Sequence, residues 1–116
     1  MSVGTIKRGD VYWADLSPVL GAEEGGMRPV VIVSNDTANS SMQTVIAVVI
    51  TSKSLSLTPT RVPLSALSVG VSKDSVILTE QLRTLDRQRL KEKIGALDEN
   101  TIKKVDNALR ITLELG

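Results

Sequence analysis

Cysteine, histidine and phenylalanine are all absent from the 116 residues of this chain. Without cysteine there are no disulfides, no thiolate nucleophiles and none of the usual structural zinc sites. Without histidine the side chain that ordinarily shuttles protons near neutral pH is missing, and every His-dependent hydrolase is excluded. Tyr12 and Trp13 are the only aromatics, so nucleic-acid binding through an array of stacking platforms is not expected. The formal net charge is +1, which means that any positive charge offered to RNA must be local. No apolar run approaches the roughly 18 residues that span a bilayer. The stretch Met1 to Ile6 lacks the apolar centre of a signal peptide. A cytoplasmic location with no membrane contact is the default expectation.

The chain is 41% hydrophobic, which predicts a globular fold with one core and a single domain over residues 1–116. Part of that apolar content is available for an oligomer interface. Gly9 to Leu16 reads as a strand, with Val11, Trp13 and Asp15 on one face and Asp10, Tyr12, Ala14 and Leu16 on the other. Ser17 to Met27 is a loop, longer than the two to five residues usual in a hairpin, which marks a functional flap or a mistaken assignment. Val30 to Ser34 and Val45 to Ile50 are β-branched runs without alternation, as in strands covered on both faces. Thr60 to Leu64 is a short strand placed at a sheet edge by Pro63. Ser65 to Lys73 is a loop. Ser75 to Leu85 is a strand with Ile77, Thr79, Gln81 and Arg83 on one face and Val76, Leu78, Glu80 and Leu82 on the other. Residues 86–97 are ambiguous: Leu90, Ile94 and Leu97 fit a helix, which Gly95 weakens. Asp98 is an N-cap, and Ile102, Val105, Leu109 and Leu113 form the apolar stripe of a helix from Glu99 to Leu113. Short strands followed by one helix predict a small, mostly β barrel closed by a C-terminal amphipathic helix.

One constellation carries chemistry. If the two β-branched runs pair as an antiparallel hairpin around Asn35 to Gln43, Arg28 falls opposite Thr51. A guanidinium beside a hydroxyl, under a glycine-rich loop bearing Glu23, suits a phosphodiester. Cleavage of RNA by its own 2′-hydroxyl needs no protein nucleophile. Arg28 would stabilise the phosphorane, Thr51 would donate to a phosphate oxygen or orient the 2′-hydroxyl, and Glu23 is the nearest candidate base. Plainer readings stand beside this one. Arg28 can pair with Glu23 or Glu24 on a solvated loop, Thr51 can be an ordinary strand-end threonine, and the Gly25-Gly26 pair can be turn chemistry alone. Glu80 is a half-exposed strand residue or a polar group kept for a site. Gln81 and Arg83 can be a solvated sheet face, Asn35 and Asp36 turn formers, and Arg87, Arg89, Lys91 and Lys93 a solvated face.

Taken together, Lys7-Arg8-Gly9-Asp10-Val11-Tyr12, Asp15-Leu16-Ser17-Pro18, the loop Gly21-Ala22-Glu23-Glu24-Gly25-Gly26-Met27-Arg28-Pro29-Val30, Ser34-Asn35-Asp36, Ile50-Thr51, Asp74-Ser75-Val76-Ile77-Leu78 and Glu80-Gln81-Leu82-Arg83-Thr84-Leu85-Asp86 follow one pattern. In that order, over nearly the full length, the chain resembles the MazF/PemK family of toxin endoribonucleases. The resemblance implies an SH3-like β-barrel of the CcdB/PemK/MazF type with a C-terminal helix, working as a homodimer. It implies cleavage of single-stranded mRNA at a short motif without metal or cofactor, and a cognate antitoxin that wraps the dimer. The family's catalytic arginine and threonine fall on Arg28 and Thr51, and its loop glutamate falls on Glu23. Gly25, Gly26, Asn35, Ser52, Ser75 and Gln81 fall where relatives bind or read RNA. Glu24 departs from the glutamine frequent at that position, and its extra charge is expected to weaken RNA binding or change the accepted base. Two other functions share these features. One is a non-enzymatic poison like the CcdB-type gyrase inhibitors, marked by supercoiling inhibition without RNA cleavage. The other is an inactive RNA-binding module, marked by salt-sensitive binding without product.

Overall fold

The computed structural model describes residues 4–18, 20–23, 25–53, 55–71 and 73–116. Among them are strands β1 (Asp10–Asp15), β2 (Met27–Ile32), β3 (Thr44–Thr51), β4 (Arg61–Leu64), β5 (Ser75–Asp86) and β6 (Leu90–Ala96), with helices α1 (Asp36–Ser41), α2 (Ala66–Val69) and α3 (Glu99–Thr112). The strands form one sheet in the order β4-β5-β3-β2-β1-β6, antiparallel throughout. Pro63 does lie on an edge strand, β4. Among the described residues no helix is long and apolar enough to cross a membrane.

Both β-branched runs are buried on both faces, as their lack of alternation predicts, except at Ile46, which is 40% exposed. Val31, Val48, Ile50 and Ile77 join one cluster, capped by Val105 and Ala108 of α3. Val30, Ile32, Val45 and Val49 join a second, together with Tyr12, Ala14, Leu85 and Leu90. Burying each Val or Ile contributes roughly 1.5–3 kcal/mol, which fixes the register, because a one-residue slip would exchange the two faces. Leu85 and Leu90 belong to strands far apart in the sheet order, yet they share the second cluster. The sheet therefore curls around that cluster, and the 3₁₀ turn Arg87–Arg89 joins β5 to β6 across the curl. The barrel is incomplete: among the described residues β4 and β6 form no ladder with each other.

The curl depends on a break in β5. Val48 pairs with Leu82 but Val49 pairs with Leu78, so Thr79, Glu80 and Gln81 are left out of register. Such a bulge bends the strand and resets which face each side chain takes. The alternation expected along Ser75 to Leu85 therefore fails, with Ile77 in the helix-side cluster and Leu85 in the other.

Several other boundaries differ. β2 begins at Met27, so Pro29 lies within it, opposite Trp13. The expected polar turn contains α1, whose Asn39 is fully buried and exchanges hydrogen bonds with the Ser34 hydroxyl and carbonyl. The expected loop after Ser65 contains α2, capped by Ser65 and ended by Gly70. Residues 90–96 are strand rather than helix. Gly95 has a packing reason there, since a Cβ would stand 2.9 Å from the Val69 carbonyl oxygen. α3 follows expectation closely. Asp98 accepts the Thr101 N–H at 2.7 Å, and the stripe is Ile102, Val105, Ala108 and Leu109, with Leu113 just past the helix end and exposed.

Candidate active site

The β2–β3 ladder joins Val30, Val31 and Ile32 to Val49, Val48 and Ala47. Proline has no N–H to give, so the ladder gains no donor at Pro29. Continuing the same register two residues sets Arg28 opposite Thr51, as the hairpin reading requires. Both belong to the face of the second cluster: Arg28 pairs across β1 with Ala14, and Thr51 follows Val49 by two residues. Thr51 is 1% exposed. Its Oγ1 accepts the Lys53 N–H at 3.2 Å, which leaves the hydroxyl proton to donate. Arg28 is half-buried, and its Nε donates to the Gly25 carbonyl at 3.1 Å.

That carbonyl belongs to the long β1–β2 loop. The Leu16 N–H closes the loop base by donating to the Gly26 carbonyl at 2.9 Å. Gly26 sits at φ +72°, a left-handed conformation natural to glycine. Glu23 folds back on its own turn: Oε1 accepts the Leu20 N–H at 2.6 Å. Its Oε2 faces Arg83 Nη2 at 3.9 Å. Arg83 comes from β5 opposite Ala47, on the face of Thr51, and its Nη1 lies 3.5 Å from the Leu16 carbonyl. Arg89 donates to the carbonyls of Asp15, at 3.0 Å, and Ser17. Two arginines readable as a solvated face are thus turned onto the root of the loop. The side chain of Arg83 is only 16% exposed. No local signal marks them, because the bend of β5 and the turn after it set their reach. Glu24, and the expectation attached to it, lies outside the described residues.

A pocket of about 120 Å³ opens at the same end of the sheet, and Arg28 borders it as well. Trp13, Met27, Pro29, Ile50 and Val71 supply apolar walls, while Arg28, Ser52, Lys73 and Ser75 supply polar groups. The pairing of Thr51 with Val76 continues to set Ser52 opposite Ser75, whose hydroxyl donates to the Lys73 carbonyl at 2.9 Å. An apolar concavity with a few converging polar groups is the usual form of a ligand site. Trp13 and Lys73 were missing from the sequence reading of this region.

The other candidate residues lie elsewhere. Asn35 caps α1 beyond the far end of β2, accepting the Ala38 N–H at 2.8 Å. Four strand steps separate Arg28 from Ile32, about 13 Å at roughly 3.3 Å each, so one chain does not bring Asn35 to the pair. Gln81 lies in the bulge of β5, well along the strand from Ser75. Glu80 is architectural: Arg61 Nη2 and Nε reach its Oε2 at 2.8 and 2.9 Å, pinning β4 to β5. Tyr12 is a core residue. Burial, and then the charge of Asp10, push its phenol above the usual value, against a lowering by Arg87.

Known proteins share this arrangement of chain. The sequence model of PemK-like, MazF-like toxins of type II toxin–antitoxin systems matches residues 7–113. Endoribonuclease EndoA of Bacillus subtilis (strain 168) is 50% identical over 111 residues, spanning 95% of this chain and 96% of that protein. MazF from Deinococcus radiodurans superposes with a TM-score of 0.83 at 28% identity, covering 96% of this chain and 98% of that one. A mycobacterial endoribonuclease solved in complex with its cognate antitoxin superposes with a TM-score of 0.78 at 28% identity, covering 96% and 97%.

Proposed function

Because this chain belongs to the family of PemK-like, MazF-like toxins of type II toxin–antitoxin systems, we propose that it cuts single-stranded mRNA at a short motif, without a metal ion, through attack by the RNA's own 2′-hydroxyl. At the coarser level it is an endoribonuclease toxin of the MazF/PemK type, in line with its half-identical Bacillus relative. The finer reading rests on one observation, the register that sets Arg28 opposite Thr51 beneath the Glu23–Gly26 loop.

The 2′-oxygen bonds to phosphorus and gives up its proton, the bond from phosphorus to the 5′-oxygen breaks, and that oxygen takes up a proton. The products are a 2′,3′-cyclic phosphate and a 5′-hydroxyl. Arg28 grips the non-bridging oxygens and offsets the extra charge of the phosphorane. Thr51 donates its hydroxyl proton to a phosphate oxygen or holds the 2′-hydroxyl in line. With no histidine in the chain, positioning and electrostatics carry most of the acceleration. Ser52 and Ser75 read an adjoining base from the pocket, and Gly25 and Gly26 let the RNA backbone approach closely. Asn35 and Gln81 reach the RNA through a second copy of the chain or a longer track. The whole chain acts as one toxin domain, paired as a homodimer and neutralised in the cytoplasm by a cognate antitoxin.

The test is incubation of the purified protein with a long RNA in excess EDTA, beside Arg28→Ala, with product ends mapped. Discrete cuts by the wild type alone, leaving 5′-hydroxyl ends, are the expected result. Intact RNA with properly folded wild type overturns the reading.

A further inference from the structure

Glu23 is a carboxylate of the loop that precedes Arg28, and a carboxylate in that place is ordinarily read as a proton carrier. Its surroundings point elsewhere. Oε1 accepts the Leu20 N–H at 2.6 Å, while the Glu23 N–H donates back to the Leu20 carbonyl at 3.2 Å. Oε2 faces Arg83 Nη2 at 3.9 Å. The carboxylate is therefore divided between its own turn and β5. Arg83 also approaches the Leu16 carbonyl to 3.5 Å, and Leu16 in turn closes the loop at Gly26. Two residues beyond Glu23, the Gly25 carbonyl takes the Arg28 Nε–H at 3.1 Å. Through Gly25 the loop thus touches the guanidinium.

We propose that Glu23 is a positioning residue rather than a proton carrier: together with Arg83 it holds the β1–β2 loop where Gly25 aims Arg28 at the scissile phosphate. This rests on the ribonuclease reading above. The looseness of the pair suits the role. A partly exposed ion pair at this distance holds only weakly, so the losses expected on breaking it are modest.

The test compares wild type, Glu23→Gln, Arg83→Gln, the double variant and Arg83→Lys on one oligonucleotide with a single mapped cut. kcat and KM are taken separately across pH, with Arg28→Ala as the blank. Glu23→Gln keeps an oxygen for the Leu20 N–H and loses the charge that faces Arg83. Each single change is expected to lower kcat by about three- to tenfold, the double by no more than either, and Arg83→Lys should recover most of the loss. Among the described residues Arg83 from β5 is the charged group that faces Glu23, and the shape of the pH profile should survive Glu23→Gln. A loss of about a hundredfold or more in Glu23→Gln while Arg83→Gln behaves as wild type would mark a proton carrier and overturn the proposal. So would disappearance of the acid limb in Glu23→Gln, or an Arg83→Gln effect confined to KM, which would mark an RNA contact. Hydrogen exchange at the Leu20 amide supplies a readout that needs no cleavage. It should quicken in folded Arg83→Gln, and an unchanged rate counts against the brace. If the wild type cuts nothing, the ribonuclease reading falls, while the Leu20 amide still judges the brace.

Discussion

Two arginine–glutamate pairs in this molecule use the same functional groups to opposite ends. At the sheet edge, Arg61 sets two nitrogens on one oxygen of Glu80 at 2.8 and 2.9 Å and adds the Ser56 carbonyl at 2.8 Å. Over the β1–β2 loop, Arg83 and Glu23 stand 3.9 Å apart, with the Glu23 side chain 48% exposed. The first joins two strands and is built to stay. The second joins a strand to a loop and holds it more loosely. Distance and solvent access, more than residue type, decide which kind of work an ion pair does.

The comparison can be broken or sharpened in order of effect. Removing what the loose pair is proposed to aim gives the largest change: Arg28→Ala should lower cleavage by about 10²–10³-fold, the scale of losing one donor to a developing oxyanion. In that background Arg83→Gln should have no further effect on cleavage. Next, Gly95→Ala puts a methyl group 2.9 Å from the Val69 carbonyl oxygen. It should cost about 1–3 kcal/mol in urea unfolding, showing that backbone packing outweighs either pair. Arg61→Gln should cost about 1 kcal/mol by the same measurement and leave kcat untouched, the reverse of Arg83→Gln. The smallest effect concerns an exposed carboxylate outside both pairs. Backbone and side-chain hydrogen bonds from Thr101 hold Asp98 below its ordinary value of 3.8. A lowered folded-state value contributes stability above the unfolded-state value and loses it as pH falls. Asp98→Asn should therefore lower the thermal midpoint slightly at neutral pH and flatten its decline in acid.

What was legible in the residues followed local rules. Pro29 and the flanking β-branched runs disclosed a hairpin whose register brings Arg28 to Thr51, because burial on both faces forbids a slip. Asp98 and the spacing of Ile102, Val105 and Leu109 disclosed α3. What was not legible depends on distant partners. Leu90, Ile94 and Leu97 mimic a helical stripe, but Leu90 and Ile94 lie in β6, which pairs with β1, and Leu97 follows its end. The sequence Asp36 to Ser41 has no apolar side chain larger than Ala38, and α1 is secured by burial of Asn39 against Ser34. The bulge at Thr79 to Gln81 is anchored by the Thr79 hydroxyl bonding to the Thr60 carbonyl and to Thr112, contacts that span 19 and 33 residues. The inward reach of Arg83 and Arg89 follows from that bend, so it was hidden with it. Of the nine candidate site residues, the fold gathers Arg28, Thr51, Glu23, Gly25, Gly26, Ser52 and Ser75 at one end of the sheet and leaves Asn35 and Gln81 apart.

Trp13 is the only tryptophan in the chain, 36% exposed, and it forms part of the pocket wall beside Met27 and Pro29. Indole emission shifts in colour and intensity with the polarity and contacts around the ring. The protein therefore carries an unlabelled optical probe at the mouth of its candidate binding site, with no second indole to dilute the signal. In a stopped-flow mixer the arrival of RNA, or its displacement by another ligand, becomes an event that can be timed in the native chain.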